Sequence, residues 1–340
     1  MKCPSFADSF EVLCLQAADG GRADVLFGDS LQRARTALRP FMVGKKFPSV
    51  YLEFPLIGEP FLDVTVLLGE IDANTRIASE AASGTEDMLD WYSGVRADHE
   101  SISCGFELDT KNPDCPAAAV HFQPREHIEL VEPFCEAVGE PQRAPLYLDM
   151  AKRMPEGWPL SFFGMFRGRP GSPLRVCGYL SDNEKKACAK DPGRMKEVFD
   201  TVGFSAYNET MLAEISELMS VTPGSVDFQF DVYDDGSLGT VFAIDAQFAI
   251  EQPEAVFSSF TDGGGAQVMN LLERWGVADK RWWAGVQTAF ARAIPAERDD
   301  GSIGRYAFTL MPNWVKARWK DAVLQPSKLY LLAGAGFTNK

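Results

Sequence analysis

The stretch VDFQFDVYDDGSLGTVFAIDAQFAI, Val226 to Ile250, decides the fold. Two runs of strict period-two alternation are joined by Asp234, Asp235, Gly236 and Ser237, which is the pattern of a β-hairpin. Val226, Phe228, Phe230 and Val232 share one face with Phe242, Ile244, Phe248 and Ile250, a surface suited to packing against helices. Asp227, Gln229 and Asp231 share the other face with Asp245 and Gln247. Three carboxylates and two amides on one face meet either bulk water or a polar cavity.

The same pattern recurs along the chain. Val50, Leu52 and Phe54 alternate with Tyr51 and Glu53, and the return run alternates Leu62, Val64 and Val66 with Asp63 and Thr65. Ser101 to Asp109 pairs with Ala117 to Gln123, and two short strands flank the Gly/Pro turn from Gly168 to Pro173. The last strands are predicted at Ser302 to Met311 and Lys328 to Ala333. Helical segments are predicted before each pair. They run from Ser5 to Ala18 and Asp29 to Phe41, then Glu80 to Val95, then Glu126 to Val138 and Pro145 to Met154. Asn183 to Val202 and Asn208 to Ser220 come next, and the last are Pro253 to Trp275, broken near Gly263, and Asp279 to Ala293. Pairs of strands beginning near residues 48, 101, 158, 225 and 302 mark a repeated supersecondary unit with little identity between copies. Five hairpins give ten antiparallel strands, either as an open twisted sheet backed by helices or as a closed barrel ringed by them. Closure is favoured because it removes edge strands, and a ring of this size encloses a chamber.

Composition narrows the function. The chain of 340 residues has 33 Lys and Arg against 48 Asp and Glu, a net charge of −15 that argues against duplex nucleic acid, whose phosphates require clustered cations. No apolar run is long enough to span a membrane and the N-terminal segment lacks a signal-peptide pattern, so the expectation is a cytoplasmic protein without a membrane partner. Seven cysteines without a CxxC pair fit reduced thiols, with Cys104 and Cys177 filling space. The run Gly263 to Gly265 lacks a following Lys-Ser/Thr, and no G-x-S-x-G, HExxH or EF-hand loop occurs, so the commonest phosphate-loop, hydrolase, metalloprotease and calcium readings fall away.

Alternation places Tyr51, Glu53, Asp63, Thr65, Ser103, Glu107, His121, Gln123, Arg167, Arg175, Tyr179, Asp227, Gln229, Asp231, Asp245, Gln247, Arg305, Thr309, Lys328 and Tyr330 on the inward face. Arg175, Arg305 and Lys328 are the cations able to cradle an anion, and six carboxylates accompany them. Trp282, Trp283, Trp314 and Trp319 serve either an aromatic site or the packing of helices on the sheet.

In this order of elements the chain resembles the ABBA-type or PT-barrel aromatic prenyltransferases, an α+β fold of about five ααββ repeats. Leu52-Glu53-Phe54 followed by Gly58-Glu59-Pro60-Phe61 is similar to the LDF…GDPY pattern of bacterial members, and KLYLLAG from Lys328 to Gly334 to their last strand. The resemblance covers residues 1–340 and implies one barrel domain and a role in secondary metabolism. It further implies transfer of a prenyl group from an allylic diphosphate to an aromatic small molecule or peptide side chain. By motif match it places Glu53 at the catalytic carboxylate and Lys328 at a diphosphate-binding lysine, with Arg175 and Arg305, inward by alternation, as further diphosphate-binding cations. Tyr51, Tyr179, Tyr330, His121, Gln229 and Gln247 then bind substrate or shield the allyl cation, and Asp63 and Asp245 offer a magnesium site. Ala117, Ala119 and His121 stand where relatives commonly carry lysine. A monomer is expected. The alternatives are a non-catalytic barrel that binds a small, cationic ligand and an open sheet that serves as an interaction surface.

Overall fold

A computed structural model of the protein describes residues 2–39, 47–68, 85–108, 110, 117–166 and 171–338. Strands pair in chain order. β1 (Ser49–Pro55) joins β2 (Asp63–Leu68), β3 (Ser103–Leu108) joins β4 (Ala117–Gln123), and β5 (Leu160–Met165) joins β6 (Leu174–Tyr179). The opening stretch forms β7 (Val226–Val232) and β8 (Leu238–Gln247), turning through Gly236, whose φ of +79° is one that glycine adopts without strain. At the end of the chain β9 (Phe290–Glu297) leads into β10 (Ile303–Lys320), followed by β11 (Val323–Leu324) and β12 (Lys328–Phe337).

All neighbours are antiparallel and the ring closes. From β10 the order runs to β12, then β1 through β8, and β8 returns to β10 with Gln247 opposite Trp314 and Val241 opposite Lys320. The expected ten-stranded barrel surrounded by helices is therefore borne out. β9 and β11 pair with β10 outside the ring.

Helices cover the apolar outer face. α1 (Phe6–Ala18), α2 (Arg22–Leu26) and α3 (Ser30–Leu38) precede the first hairpin, and α4 (Thr85–Val95) the second. The first begins at a capping box, where the Ser5 hydroxyl accepts from the Asp8 amide and the Asp8 carboxylate from the Ser5 amide, each at 3.1 Å. α5 (Val131–Ala137) and α6 (Arg143–Arg153) precede the third hairpin, and α7 (Asp182–Lys190), α8 (Pro192–Val202) and α9 (Glu209–Val221) the fourth. α10 (Val256–Thr261), α11 (Gly264–Arg274) and α12 (Arg281–Val286) precede the last strands. Burial is nearly complete where they meet the barrel. Phe230 and Phe242 are at most 1% exposed and pack against Phe199 of α8 with ring centroids 6.2 and 4.9 Å away. Each such ring contributes roughly 2–3 kcal/mol by leaving water. Phe122 stacks on Phe134 at 4.5 Å beneath the second hairpin, and the Trp319 indole donates to Glu214 of α9 at 2.7 Å.

Four predicted elements differ. The segment from Asn183 to Val202 is two helices, because Pro192 begins a new one and the Asp191 carboxylate caps it by accepting from the Gly193 amide. The helix expected from Asp279 to Ala293 stops at Val286, and Phe290 onward is a strand, since pairing with β10 outweighs local helix preference. The strand expected to end at Met311 runs on to Lys320. Pro312, which cannot donate to a ladder, is absorbed by an irregularity in register between Pro312 and Trp314. The last strand likewise continues past Ala333 to Phe337. The predicted helical residues 40–41 and 80–84 lie outside the described residues.

Candidate functional site

Inward side chains enclose two adjoining compartments, of about 320 and 110 Å³. The wider has the volume of a small-molecule site and is lined by Tyr51, Glu107, His121, Gln123, Phe162, Asp227, Asp245, Gln247, Asn313 and Trp314, among others. Asp63, Phe166, Asp231, Arg318 and Lys328 line the narrower. Glu53, Glu107, Arg175, Gln229, Lys316 and Tyr330 border both, so one wall serves two spaces.

Cations concentrate in the narrow compartment, and three are held by acids. Lys328 donates to Glu53 and, at 3.3 Å, to Asp63. Burial alone would lower the Lys328 pKa, but these two carboxylates carry it above its ordinary value. Arg175 donates from Nε to Asp231 at 3.0 Å and lies 4.6 Å from the Phe166 ring centre. Burial opposes its charge too, and Asp231 more than restores it. Lys316 stands 3.6 Å from Asp245 and 5.0 Å from the Tyr330 ring centre, within reach of a cation–π contact. Arg318, exposed at the edge, has no ion pair within 4.0 Å among the described residues.

The wide compartment is arranged around rings and amides. Tyr51, Trp314 and Tyr330 form a column, with centroids 4.4 Å apart between the first two and 4.9 Å between the second and third. Burial pushes the Tyr51 phenol up to about 12, with help from Asp227, and raises Tyr330 well above its ordinary value, so both remain neutral hydroxyls. Gln229 donates to Asp245 at 2.7 Å and Gln247 to Asp227 at 3.2 Å. Burial and then the nearby Asp245 charge raise the Asp227 carboxyl to about 7, and Asp245 is itself raised, chiefly by burial.

His121 faces the chamber because of what lies opposite. Its partner across the β4–β5 pair is Gly164, where a Cβ would fall 2.6 Å from the imidazole Nδ1, so only glycine leaves room for the ring. Its Nε2 is 3.7 Å from Glu107, an electrostatic contact longer than a hydrogen bond. Burial would raise the Glu107 carboxyl, but His121, Lys328 and Arg175 hold it below the ordinary carboxylate range. Neither imidazole nitrogen nor the Trp314 indole N–H has a hydrogen-bond partner among the described residues. Buried polar atoms are seldom left so, and these border a cavity able to supply one.

Glu53, Asp63, His121, Arg175, Gln229, Asp245, Gln247, Lys328, Tyr51 and Tyr330 all line the chamber, as does every one of the six carboxylates read as inward. Arg305 does not. It is exposed and pairs with Pro295 of β9, in the half of β10 that precedes the contact with β8. Tyr179, 48% exposed, ends β6 opposite Asp227 and lines neither compartment. Arg167 lies outside the described residues. Asp63 and Asp245 each have a lysine partner. Among the described residues neither belongs to a trio of acidic, histidine or cysteine ligand atoms within 4.8 Å of one another. Cys177, read as filling space, is fully buried and borders the wide compartment.

Sequence reading left Lys316 and Arg318 off the inward face and named Trp314 only among the four tryptophans for an aromatic site or helix packing. Their signal was present, since they alternate with Val315, Ala317 and Trp319, but Pro312 and Asn313 marked a false strand end. The four tryptophans divide accordingly. Trp314 faces the chamber, while Trp319 packs on a helix and Trp282 and Trp283 lie on α12.

No protein-family profile matches this sequence, and no curated protein does. Solved structures are similar over almost the whole chain. One is the crystal structure of 5-dimethylallyltryptophan synthase from Streptomyces coelicolor, with 12% identity, a TM-score of 0.52 and coverage of 97% of both chains. Another is the same enzyme in complex with DMASPP and Trp, with 12% identity and a TM-score of 0.50, covering 97% of this chain and 95% of that one. At this identity the likeness establishes the fold, so the resemblance to PT barrels is borne out as architecture. No helix among the described residues is long and apolar enough to cross a membrane.

Proposed function

We propose that this barrel is an aromatic prenyltransferase that joins an allylic diphosphate to an aromatic small molecule or peptide side chain. The observation that carries this reading is the convergence of Arg175, Lys316, Arg318 and Lys328 on one small compartment that opens past Tyr330 onto a larger, ring-walled space. The diphosphate occupies the cationic end. Arg318, which no acid among the described residues holds, makes the first contact, and the lysines and Arg175 exchange part of their carboxylate contact for a more highly charged anion. In the reaction the allylic C–O bond breaks and the diphosphate leaves with both electrons. A π pair of the acceptor ring forms the new C–C bond, and the ring then loses a proton to a carboxylate, for which Glu53 is the candidate. Tyr51, Trp314 and Tyr330 present ring faces to the positive allyl fragment. His121, Gln229 and Gln247 position the acceptor. Were magnesium bound, Asp63 and Asp245 would be its holders, and it would help neutralise the diphosphate.

A second reading has its own observation. Among the described residues six carboxylates line the chamber against those four cations, and three of the cations are already neutralised, which suits a non-catalytic barrel binding a small cationic ligand. Calorimetry with dimethylallyl and geranyl diphosphate, with and without magnesium, separates the two. Binding that is lost in Lys328→Ala, together with turnover of an aromatic acceptor, supports the transferase. Failure of both diphosphates to bind under any condition overturns it and leaves the cation-binding barrel.

A further inference from the structure

Two of the three histidines lie outside the chamber, and the fold brings them together. His99 sits in the segment between α4 and β3 and His127 in the turn after β4, so the pairing of Ser103 with Gln123 sets their backbones side by side. Both turns are pinned, since the Ile102 amide donates to the His99 carbonyl and the His127 amide to the Pro124 carbonyl. The two Nδ1 atoms are 3.3 Å apart, and Glu129 Oε1 is 3.1 Å from that of His127.

Hydrogen bonding alone serves this trio poorly. A neutral imidazole carries one N–H, so the Nδ1 of His127 can donate to His99 or to Glu129 but not to both. If both Nδ1 atoms are protonated they repel, and if neither is, three lone pairs converge. A single cation satisfies all three. In a tetrahedral zinc site with bonds of about 2.0–2.1 Å, neighbouring ligand atoms stand roughly 3.3–3.4 Å apart, close to the separations seen here. A carboxylate also stands near the other ring nitrogen of His127: Glu126 lies 3.6 Å from Nε2, an electrostatic contact longer than a hydrogen bond, and accepts from the Ser101 hydroxyl at 2.6 Å.

We propose that His99, His127 and Glu129 bind a divalent transition-metal ion of the zinc class, with a fourth position open to water. The ion ties the entrance of β3 to the exit of β4, the hairpin that carries Glu107 and His121 into the chamber. The site is independent of the transferase reading. Zinc titration of tag-free protein by calorimetry, with the absorption spectrum of the cobalt form, tests it. One equivalent binds, the cobalt spectrum lacks a thiolate charge-transfer band, and zinc raises the melting temperature. His99→Ala, His127→Ala and the milder Glu129→Gln each weaken binding roughly tenfold or more while melting as wild type does without metal. Six described cysteines are free, so the spectrum matters. A cobalt spectrum with thiolate bands, a double histidine variant that binds as wild type does, or no uptake at a large excess of zinc overturns the proposal.

Discussion

In the narrow compartment three cations are each held against a carboxylate, whereas in the wide one acids lean on amides and rings and, among the described residues, the His121 imidazole and the Trp314 indole N–H lack a hydrogen-bond partner. The same strands wall both. The narrow end is thus a place where charge is balanced in advance and an anion must compete for it, and the wide end is where protons and orientation are adjustable. A buried ion pair adds little net stability, yet breaking one strands the survivor. That asymmetry makes the two ends respond differently to mutation.

The severest test of the contrast is Lys328→Ala. It leaves Glu53 and Asp63 without their shared cation, so a loss of about 3 kcal/mol in denaturant unfolding is expected, together with loss of measurable diphosphate binding. A variant that unfolds and binds like wild type would erase the distinction. Trp314→Ala acts on the other end. It removes the middle ring of the aromatic column, and the expected outcome is turnover reduced roughly 30-fold, the worth of a desolvated cation–π contact, with diphosphate affinity unchanged in calorimetry.

Asp227→Asn sharpens the comparison through pH. Because the folded carboxyl is raised from 3.8 to about 7, folding favours its protonated form. The cost of its charge is absent below about pH 4, grows as pH rises toward 7 and is full above it. The variant is therefore expected to be more stable than wild type by on the order of 1–2 kcal/mol at pH 8 and equal to it near pH 4, as read by melting curves at the two values. The smallest effect belongs to Arg318→Ala. The residue is exposed and has no ion pair within 4.0 Å among the described residues, so stability stays unchanged while diphosphate binding weakens roughly tenfold. Weakening confined to low salt would reassign Arg318 to steering the anion into the barrel.

Much of this was legible in the chain. A period of two cannot be kept over ten segments by chance, and it assigned Glu53, Glu107, Asp227, Gln229 and Tyr330 to the chamber before any geometry. What it could not show was where a strand stops. Pro312 punctuates the sequence, but the sheet accommodates it by shifting register, and Arg305 was chosen in place of Lys316 and Arg318 as a result. Charge pairing was equally hidden, because alternation gives a face and not a neighbour. Lys328 meets Asp63 across an intervening strand, a contact set by barrel curvature.

The seam of the ring sets a timetable for the chain. Each of the first four hairpins joins neighbouring segments and can form soon after it leaves the ribosome, but β1, already paired with β2, finds its second partner only in β12, with Glu53 opposite Tyr330. Until β10 and β12 are made, β8 and β1 respectively stand as open edges available to other chains. The narrow compartment likewise lacks Lys316, Arg318 and Lys328, so the acids there await their counter-ions. Interrupted synthesis would thus yield a sticky, acid-lined trough, and the final segments act as a clasp that turns a vulnerable intermediate into a sealed container.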